Sequence, residues 1–169
     1  MQDQYVKSDE ASSAEDQAFL FNEEELVAIM EQHIPFNRFL GIKVHRVDRG
    51  AVRLALPPND EFTGDPIRPA LHGGVIATLA DSAAGLVVFS VLQQSSSAST
   101  IDLRVDYLRP ARVDLPLYAD AHMLRSGTHI FVTQVNLHHG DEQDRVAIAT
   151  VTFNVVNKPN LMKLVSTDL

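Results

Sequence analysis

The stretch LHGGVIATLADSAAGLVVFSVL, residues 71–92, decides the fold of this chain. After Gly73 and Gly74 it is apolar at nearly every position, which predicts a long helix that is apolar on all faces and therefore buried. Asp81 lies about two turns into this helix, where a carboxylate is costly unless it is paired or used. A buried helix with a glycine-rich start and one lone acid is the feature that the rest of the chain must accommodate.

The composition indicates one ordinary globular domain. The chain has 169 residues, of which 45% are hydrophobic and 21% are charged, as is usual for such domains. It has no cysteine, which excludes a disulfide framework and thiolate metal sites. No basic segment followed by an apolar run stands at the N-terminus, so we expect no secretory signal and a cytoplasmic protein.

The net charge of −8 is concentrated near the N-terminus. Residues 1–30 carry eight acids against Lys7, a net −7, and the remaining fourteen acids and thirteen bases give −1. The rest of the chain therefore lacks the basic field that nucleic acid requires. A membrane span over residues 74–92 has a fitting length, but Asp81 near its centre would cost about 2.5–3.5 kcal/mol. We expect neither nucleic acid nor membrane as a partner.

Before the central helix, the pattern predicts an arm, a helix and a hairpin. Residues 1–15 are polar and acidic and predict a flexible arm. Residues 16–33 have helical spacing, with Asn22 as the N-cap, and Pro35 ends this helix. Alternating apolar residues between positions 42 and 56 predict two strands joined at Arg49-Gly50. The loop over residues 59–70 is long enough to carry function.

After the central helix, a polar break over residues 93–99 precedes four predicted strands. These cover residues 100–108, 115–125, 128–138 and 145–156. The fold class is therefore α+β, in one domain over residues 16–158, followed by a surface tail over residues 159–169. One sheet covers a helix on one side only, so we expect the chain to pair with a copy of itself.

Two motifs resemble a known family. His72-Gly73-Gly74 is followed by Asp81 nine residues after the histidine, and the strand from Thr100 ends in Tyr107-Leu108-Arg109-Pro110. From about residue 36 to 156 the chain resembles the hotdog-fold acyl-CoA thioesterases of the phenylacetate-degradation (PaaI-like) type. The resemblance implies an antiparallel sheet wrapped around the long central helix, here with an extra N-terminal helix. It also implies a homodimer, or a dimer of dimers, with sites at the interface. It implies no metal, and no cofactor besides the coenzyme A of the substrate.

The expected activity is hydrolysis of an acyl- or aryl-CoA to a free acid and coenzyme A. Backbone N–H groups at a helix start are unpaired and carry partial positive charge, so we predict the Gly73 N–H as oxyanion donor, with Gly74 as a second. The resemblance implies that Asp81 attacks the thioester or activates water. Asp81 and Gly73 are separated by about 12 Å along one helix, so we predict that each site takes Gly73 from one subunit and Asp81 from the other.

Each of these residues also has a structural interpretation. Asp81 could pair with an arginine across the dimer, and Gly73 and Gly74 could allow close packing of the helix. His72 is a base or, as we favour, a residue that positions the helix start by hydrogen bonding. Thr100 aligns with a family position whose hydroxyl helps to hold the attacking water, but it is also an ordinary strand residue.

The chain departs from the family at one position. Many relatives have an asparagine about six residues before the histidine, where this chain has Pro66, preceded by Asp65. Either Asp65 takes a related role or the position is empty. Arg68, Arg104, Arg109 and Arg112 are candidates to hold the phosphates of coenzyme A, although each is also an ordinary surface charge.

Two other functions fit a hotdog fold. One is an enoyl-CoA hydratase or dehydratase, although the spacing of His72 and Asp81 does not match that motif well. The other is a non-catalytic protein that binds acyl-CoA. The histidines other than His72 show no metal-ligand spacing.

Overall fold

The computed structural model describes residues 20–65, 67–93 and 96–157. The predicted arm (1–15), the predicted tail (159–169) and the start of the predicted first helix lie outside these residues. The elements are α1 (Glu23–Ala28), a π-helical turn (Ile29–His33), α2 (Pro35–Leu40), β1 (Lys43–Asp48), β2 (Ala51–Leu56), α3 (Gly73–Val91), β3 (Ser96–Tyr107), β4 (Leu117–Ser126), β5 (Ile130–His138) and β6 (Arg145–Asn157).

The N-cap predicted at Asn22 and the helix end predicted before Pro35 are confirmed, whereas residues 20–22, inside the predicted helix, are not helical. The Asn22 side chain accepts a hydrogen bond from the Glu25 N–H at 2.8 Å, and the Glu25 carboxylate accepts one from the Asn22 N–H at 2.9 Å. This reciprocal pair satisfies two backbone donors at the start of α1. A π-helical turn and α2 follow α1, and Pro35 is the first residue of α2, where its missing N–H costs nothing.

The six strands of the described residues form one antiparallel sheet in the order β1-β2-β4-β5-β6-β3. The two edges are therefore the short β1 and the twelve-residue β3. The predicted polar break is wrong for residues 96–99, because β3 already begins at Ser96 and pairs with β6 from there. Cross-strand pairing overrides the weak strand preference of these residues.

Helix α3 packs against the sheet and forms the centre of the core. Leu79, Ala80, Leu86 and Val87 are at most 1% exposed. By length and composition α3 could also cross a membrane, but half of its most apolar window is buried inside the fold, as in the core helix of a globular domain. One stripe of small and polar residues stays half-exposed along α3, namely Ala77, Thr78, Asp81, Ser82 and Gly85.

The loop before α3 is held against the rest of the fold. Residues Asp60–Phe62 form one 3-10 turn, and Phe62 enters the core. Isolated bridges join Thr63 to Leu71 and Ala70 to Arg112. The loop therefore returns beside the point where α3 begins, and it fixes that point in space.

Candidate active site

The first turn of α3 is capped by His72. The backbone of His72 is extended, and its imidazole Nδ1 accepts a hydrogen bond from the Gly74 N–H at 2.9 Å. Within the described residues no hydrogen bond engages the Gly73 N–H. The helix start therefore has one free donor, at Gly73, and the positive end of the α3 dipole lies beside it.

Backbone contacts with the preceding loop fix the position of His72. Its N–H donates to the Phe62 carbonyl oxygen at 2.8 Å, and the Leu71 N–H donates to the Ala111 carbonyl oxygen at 2.8 Å. Gly64 lies so close that a Cβ placed there would be 2.5 Å from the His72 Cα. Only a glycine fits at position 64 without a shift of the backbone.

Tyr107, at the end of β3, reaches the other side of the helix start. Its hydroxyl donates a hydrogen bond to the Gly73 carbonyl oxygen at 2.9 Å. A Cβ on Gly73 would lie 3.2 Å from the Tyr107 hydroxyl oxygen and 3.3 Å from Cζ. Tyr107 therefore lies on the side of Gly73 where any other residue would have a side chain.

Asp81 and Thr100 form a second polar group further along α3. Asp81 is half-buried, and its Oδ1 accepts a hydrogen bond from the Thr100 hydroxyl at 2.9 Å. Among the described residues Asp81 is in no ion pair. Thr100 precedes the bulge of β3, and its side chain points towards α3.

The two polar groups lie along one side of the helix but at different heights. Because β3 runs beside α3, its residues contact the helix at different points along the helix axis. Tyr107 contacts Gly73 at the helix start, and Thr100 contacts Asp81 further along the helix. The eight-residue separation corresponds to about 12 Å of helix. One chain therefore holds an amide donor and a carboxylate on the same side of α3, too far apart to meet at one carbonyl carbon.

Comparison with known proteins gives the family. The model of the thioesterase superfamily matches residues 69–146, which include both polar groups. The medium/long-chain acyl-CoA thioesterase YigI of Escherichia coli K12 is 41% identical over 136 residues, which cover 73% of this chain and 86% of that protein. This chain belongs to the thioesterase superfamily.

Two further likenesses agree with this thioesterase assignment. A putative esterase of Halobacterium salinarum is 36% identical over 123 residues, covering 69% of this chain and 80% of that protein. The structure of a mutant of the phenylacetic acid degradation protein PaaI from Thermus thermophilus superposes with a TM-score of 0.63 at 26% identity, over 71% of this chain and 97% of that one. The hotdog fold that the sequence motifs implied is confirmed.

In this thioesterase the Gly74 N–H is not a second free donor, because His72 Nδ1 already binds it. The same bond bears on the role of His72. A neutral imidazole that accepts at Nδ1 carries its proton on Nε2, so neither ring nitrogen is then a free base. The geometry favours a positioning role for His72.

Asp65 is held within its own loop. Its Oδ1 accepts hydrogen bonds from the Ile67 N–H at 2.9 Å and the Arg68 N–H at 3.3 Å, and its Oδ2 pairs with the Arg68 guanidinium at 2.7 Å. The Ile67 N–H and the Arg68 side chain hold the pKa of the Asp65 carboxyl below its usual range. Asp65 therefore orders the loop, whereas Pro66 lies outside the described residues.

The four arginines predicted to hold phosphates are all paired with acids. Arg68 pairs with Asp65, Arg104 with Asp106, Arg109 with Asp144 and Arg112 with Asp114. The side chains of Arg68 and Arg104 are each 73% exposed, and exposed pairs of this kind contribute little stability. A phosphate can therefore compete for these guanidinium groups.

Sequence reasoning misses two features of the site. In the sequence, Tyr107 is singled out only as part of the Tyr-x-x-Pro strand ending, and no role is predicted for its hydroxyl. Gly64 is one glycine in a long loop, and nothing local shows that the His72 backbone lies against it. Both contacts join residues that are distant in sequence, so periodicity and spacing carry no signal for them.

A third polar group lies on the face of the sheet away from α3. The ligand atoms of Asp120, His138 and Glu142 lie within 4.8 Å of one another, but Arg53 pairs with both carboxylates. The Gly140 N–H donates to His138 Nδ1 at 3.0 Å, which leaves the proton on Nε2, where a metal would have to bind. The group fits an ion-pair network better than a metal site, and the absence of a metal from the reaction stays a prediction.

Proposed function

We propose that this chain hydrolyses the thioester of acyl-CoA and releases a free acid and coenzyme A. Its likeness to an Escherichia coli enzyme named for medium- and long-chain acyl-CoA supports this substrate class. The observation that carries the chemistry is the hydrogen bond from Thr100 to Asp81, on the same side of α3 as the free Gly73 N–H. A fixed carboxylate and a fixed amide donor are the two groups that thioester hydrolysis needs.

The Gly73 N–H serves as the oxyanion donor. When an oxygen nucleophile adds to the thioester carbon, negative charge develops on the carbonyl oxygen, and a preorganised N–H stabilises it. Glycine leaves the approach open, and the α3 dipole adds to the positive potential there. A donor of this kind is typically worth about 3–4 kcal/mol of the barrier.

Asp81 serves as nucleophile or as general base. The Thr100 hydroxyl binds Oδ1, which orients the carboxylate and leaves Oδ2 to act. As a base, Oδ2 removes a proton from water, the new C–O bond forms, the C–S bond breaks and the thiolate takes up the proton. As a nucleophile, Oδ2 forms an anhydride with the acyl group and expels the thiolate, and water then hydrolyses the anhydride.

The two groups meet across a homodimer. Gly73 and Asp81 of one chain are about 12 Å apart along the helix, so a second copy must supply one of them. β3 is an edge strand of twelve residues, and such an edge presents unpaired N–H and C=O groups to another chain. Ile101 in this strand is 57% exposed, which is unfavourable unless it is covered. We infer that the β3 strands of two subunits pair with each other. Any dimer of dimers is built from that unit.

The coenzyme A moiety binds near Arg68 and Arg109. Arg68 lies in the loop before α3 and Arg109 follows the end of β3, so both are near the helix start. Arg109 has a buried Nε atom without a hydrogen-bond partner in the described residues. Its fork of donors suits a phosphate.

The direct test is thiol release from a panel of short, medium, long and aryl acyl-CoA substrates. Wild type should release free thiol, and Asp81→Asn should lose at least about a hundredfold in kcat. Asp48→Asn is the matched control, since Asp48 lies on β1 at the other edge of the sheet and, among the described residues, its carboxylate forms one exposed ion pair. Equal rates for wild type and Asp81→Asn would remove Asp81 from the mechanism. Binding of acyl-CoA without any thiol release would overturn the proposed function.

A single turnover in water enriched in heavy oxygen tests the nucleophilic role of Asp81. If Asp81 is the nucleophile and water attacks the anhydride at the Asp81 Cγ, the released acid is unlabelled and the label appears in the Asp81 carboxylate. If Asp81 is the base, or if water attacks the acyl carbon of the anhydride, the heavy oxygen appears in the acid released in the first turnover. Mass spectrometry of the acid and of the peptide that contains Asp81 reads both outcomes.

A further inference from the structure

A single peptide group at the start of α3 is held at both ends by side chains. The carbonyl oxygen of Gly73 and the N–H of Gly74 belong to the same peptide. The Tyr107 hydroxyl donates to that oxygen at 2.9 Å, and His72 Nδ1 accepts from that N–H at 2.9 Å. The two side chains come from different parts of the fold, the loop before α3 and the end of β3.

This double contact restricts the neighbouring N–H as well. A peptide group is planar, so fixing its oxygen and its nitrogen fixes the whole unit. The Gly73 N–H lies on the preceding peptide, which is joined to this unit at the Gly73 Cα. The carbonyl oxygen of that preceding peptide accepts hydrogen bonds from the Val75 N–H at 3.0 Å and the Ile76 N–H at 3.3 Å. Glycine has more freedom at the joint than any other residue, so the contacts of His72 and Tyr107 act together with these two bonds in setting the direction of the Gly73 N–H.

Packing alone does not account for Tyr107. Within one chain it is 53% exposed, so its own fold leaves much of the ring uncovered. Yet its hydroxyl oxygen lies 3.2 Å from where a Cβ added to Gly73 would stand. The same hydroxyl donates a hydrogen bond to the Gly73 carbonyl oxygen. The contact serves the helix start rather than the packing of the sheet.

We propose that Tyr107 is a positioning residue that, with His72, clamps the Gly73–Gly74 peptide and so aims the Gly73 N–H at the substrate carbonyl. The clamp rests on the proposed function, in which that N–H is the oxyanion donor. Tyr107 does not itself touch the reacting atoms. It holds the peptide that follows the donor, and it keeps the donor in place when charge develops on the substrate oxygen.

The test is Tyr107→Phe, which keeps the ring and removes only the hydroxyl. We expect kcat to fall about three- to tenfold with KM unchanged, as for the loss of one neutral hydrogen bond that acts in the transition state. Tyr118→Phe is the matched control, because Tyr118 lies on β4 and alternates with the buried Leu117 and Ala119. It therefore faces away from α3 and should keep the wild-type kcat.

Variants of His72 test the other end of the clamp. His72→Ala should also lower kcat, and His72→Asn should restore much of it, because asparagine accepts hydrogen bonds well at an N-cap. The effects of Tyr107→Phe and His72→Ala should not be additive, since both side chains hold one peptide. The amide NMR signal of Gly74 should shift in Tyr107→Phe, and this readout does not depend on activity.

The outcomes separate the clamp from the proposed function. If Tyr107→Phe keeps the wild-type kcat while Asp81→Asn loses it, the clamp is wrong and the proposed function stands. A loss of thermal stability in Tyr107→Phe with unchanged kcat also overturns the clamp, because it shows a purely structural bond. If wild type releases no thiol, the proposed function fails, and the Gly74 signal alone reports whether the two side chains hold the peptide.

Discussion

The Thr100 hydroxyl donates a hydrogen bond of 2.9 Å to Oδ1 of Asp81, 19 residues earlier in the chain. One residue lies on the edge strand β3 and the other on the half-exposed side of α3. The bond engages one carboxylate oxygen and leaves Oδ2 outside it. This pair, the helix start and the ion-pair network behind the sheet can each be tested by substitution.

Thr100→Val should lower kcat because it removes the bond that orients Asp81 while keeping the shape of the side chain. Hydrogen bonds to charged groups are worth about 1.5–3 kcal/mol, so a loss of about 10- to 100-fold is expected. Steady-state kinetics on an acyl-CoA substrate measure it. Thr150→Val on β6 is the control, and an equal effect of both variants would contradict a specific role for Thr100.

Gly73→Pro should abolish most activity because it removes the N–H that we propose as oxyanion donor. Proline suits the first position of a helix, and His72 has φ −62° and ψ 132°, which a residue before proline can adopt. Gly73→Ala is the matched control, because it adds the same Cβ near Tyr107 and keeps the N–H. Gly73→Pro should have a kcat about 100- to 1,000-fold below that of Gly73→Ala; similar rates for the two would show that the N–H is not used.

Mixed dimers of Asp81→Asn and Gly73→Pro should recover activity that neither variant has alone. If each site takes Gly73 from one chain and Asp81 from the other, a mixed dimer has one intact site and one site with both defects. Random pairing makes half of the dimers mixed, so about one quarter of the wild-type activity should return. Native mass spectrometry verifies the mixing. Mixed dimers without recovered activity would show that the sites are not shared.

Gly64→Ala should disturb the site without touching any reacting group. The new Cβ would lie 2.5 Å from the His72 Cα, so the loop or the helix start must shift. We expect a loss of about 1–3 kcal/mol in the free energy of unfolding together with a lower kcat. Gly127→Ala is the control, since its Cβ would lie 2.7 Å from the Ile130 carbonyl oxygen in a turn away from α3. It should lose stability and keep kcat per folded molecule.

The ion-pair network of Asp120 with Arg53 and His138 should stabilise the fold at neutral pH. This contribution should be lost at acidic pH. Burial pushes the pKa of Asp120 up, but hydrogen bonds from Arg53 and His138 outweigh it and hold the pKa below its ordinary value. A carboxyl whose pKa is lower in the folded state stabilises fully above its unfolded pKa of about 3.9 and loses that contribution as the pH falls through the folded value.

Urea unfolding of wild type and Asp120→Asn tests this. At about pH 7 the variant should be less stable by about 1–3 kcal/mol, as expected for the loss of charged hydrogen bonds. The difference should shrink as the pH is lowered below about 4, because the wild-type carboxyl then becomes protonated. Other acids titrate in both proteins and cancel in the difference. A difference that does not change with pH would contradict the lowered pKa.

Local sequence patterns predicted much of the fold. The apolar run over residues 75–92 and the glycines before it place α3, because a helix needs only its own neighbours in sequence to define its faces. Asn22 as the N-cap and the alternation in the later strands were readable for the same reason. Asp81 stands out as the lone acid of an apolar helix, and the resemblance added its role and Thr100 as a further candidate; the structure brings these two side chains into contact.

Only the tertiary structure decided how the candidates are arranged. The sequence did not show that the strand begins at Ser96, because pairing with β6 overrides the polar character of that segment. It did not show that His72 occupies the Gly74 N–H, or that Tyr107 reaches Gly73 from the end of β3. Helix starts, caps and alternation depend on residues within a few positions of one another. Contacts between a strand, a loop and a helix depend on where the whole sheet places them.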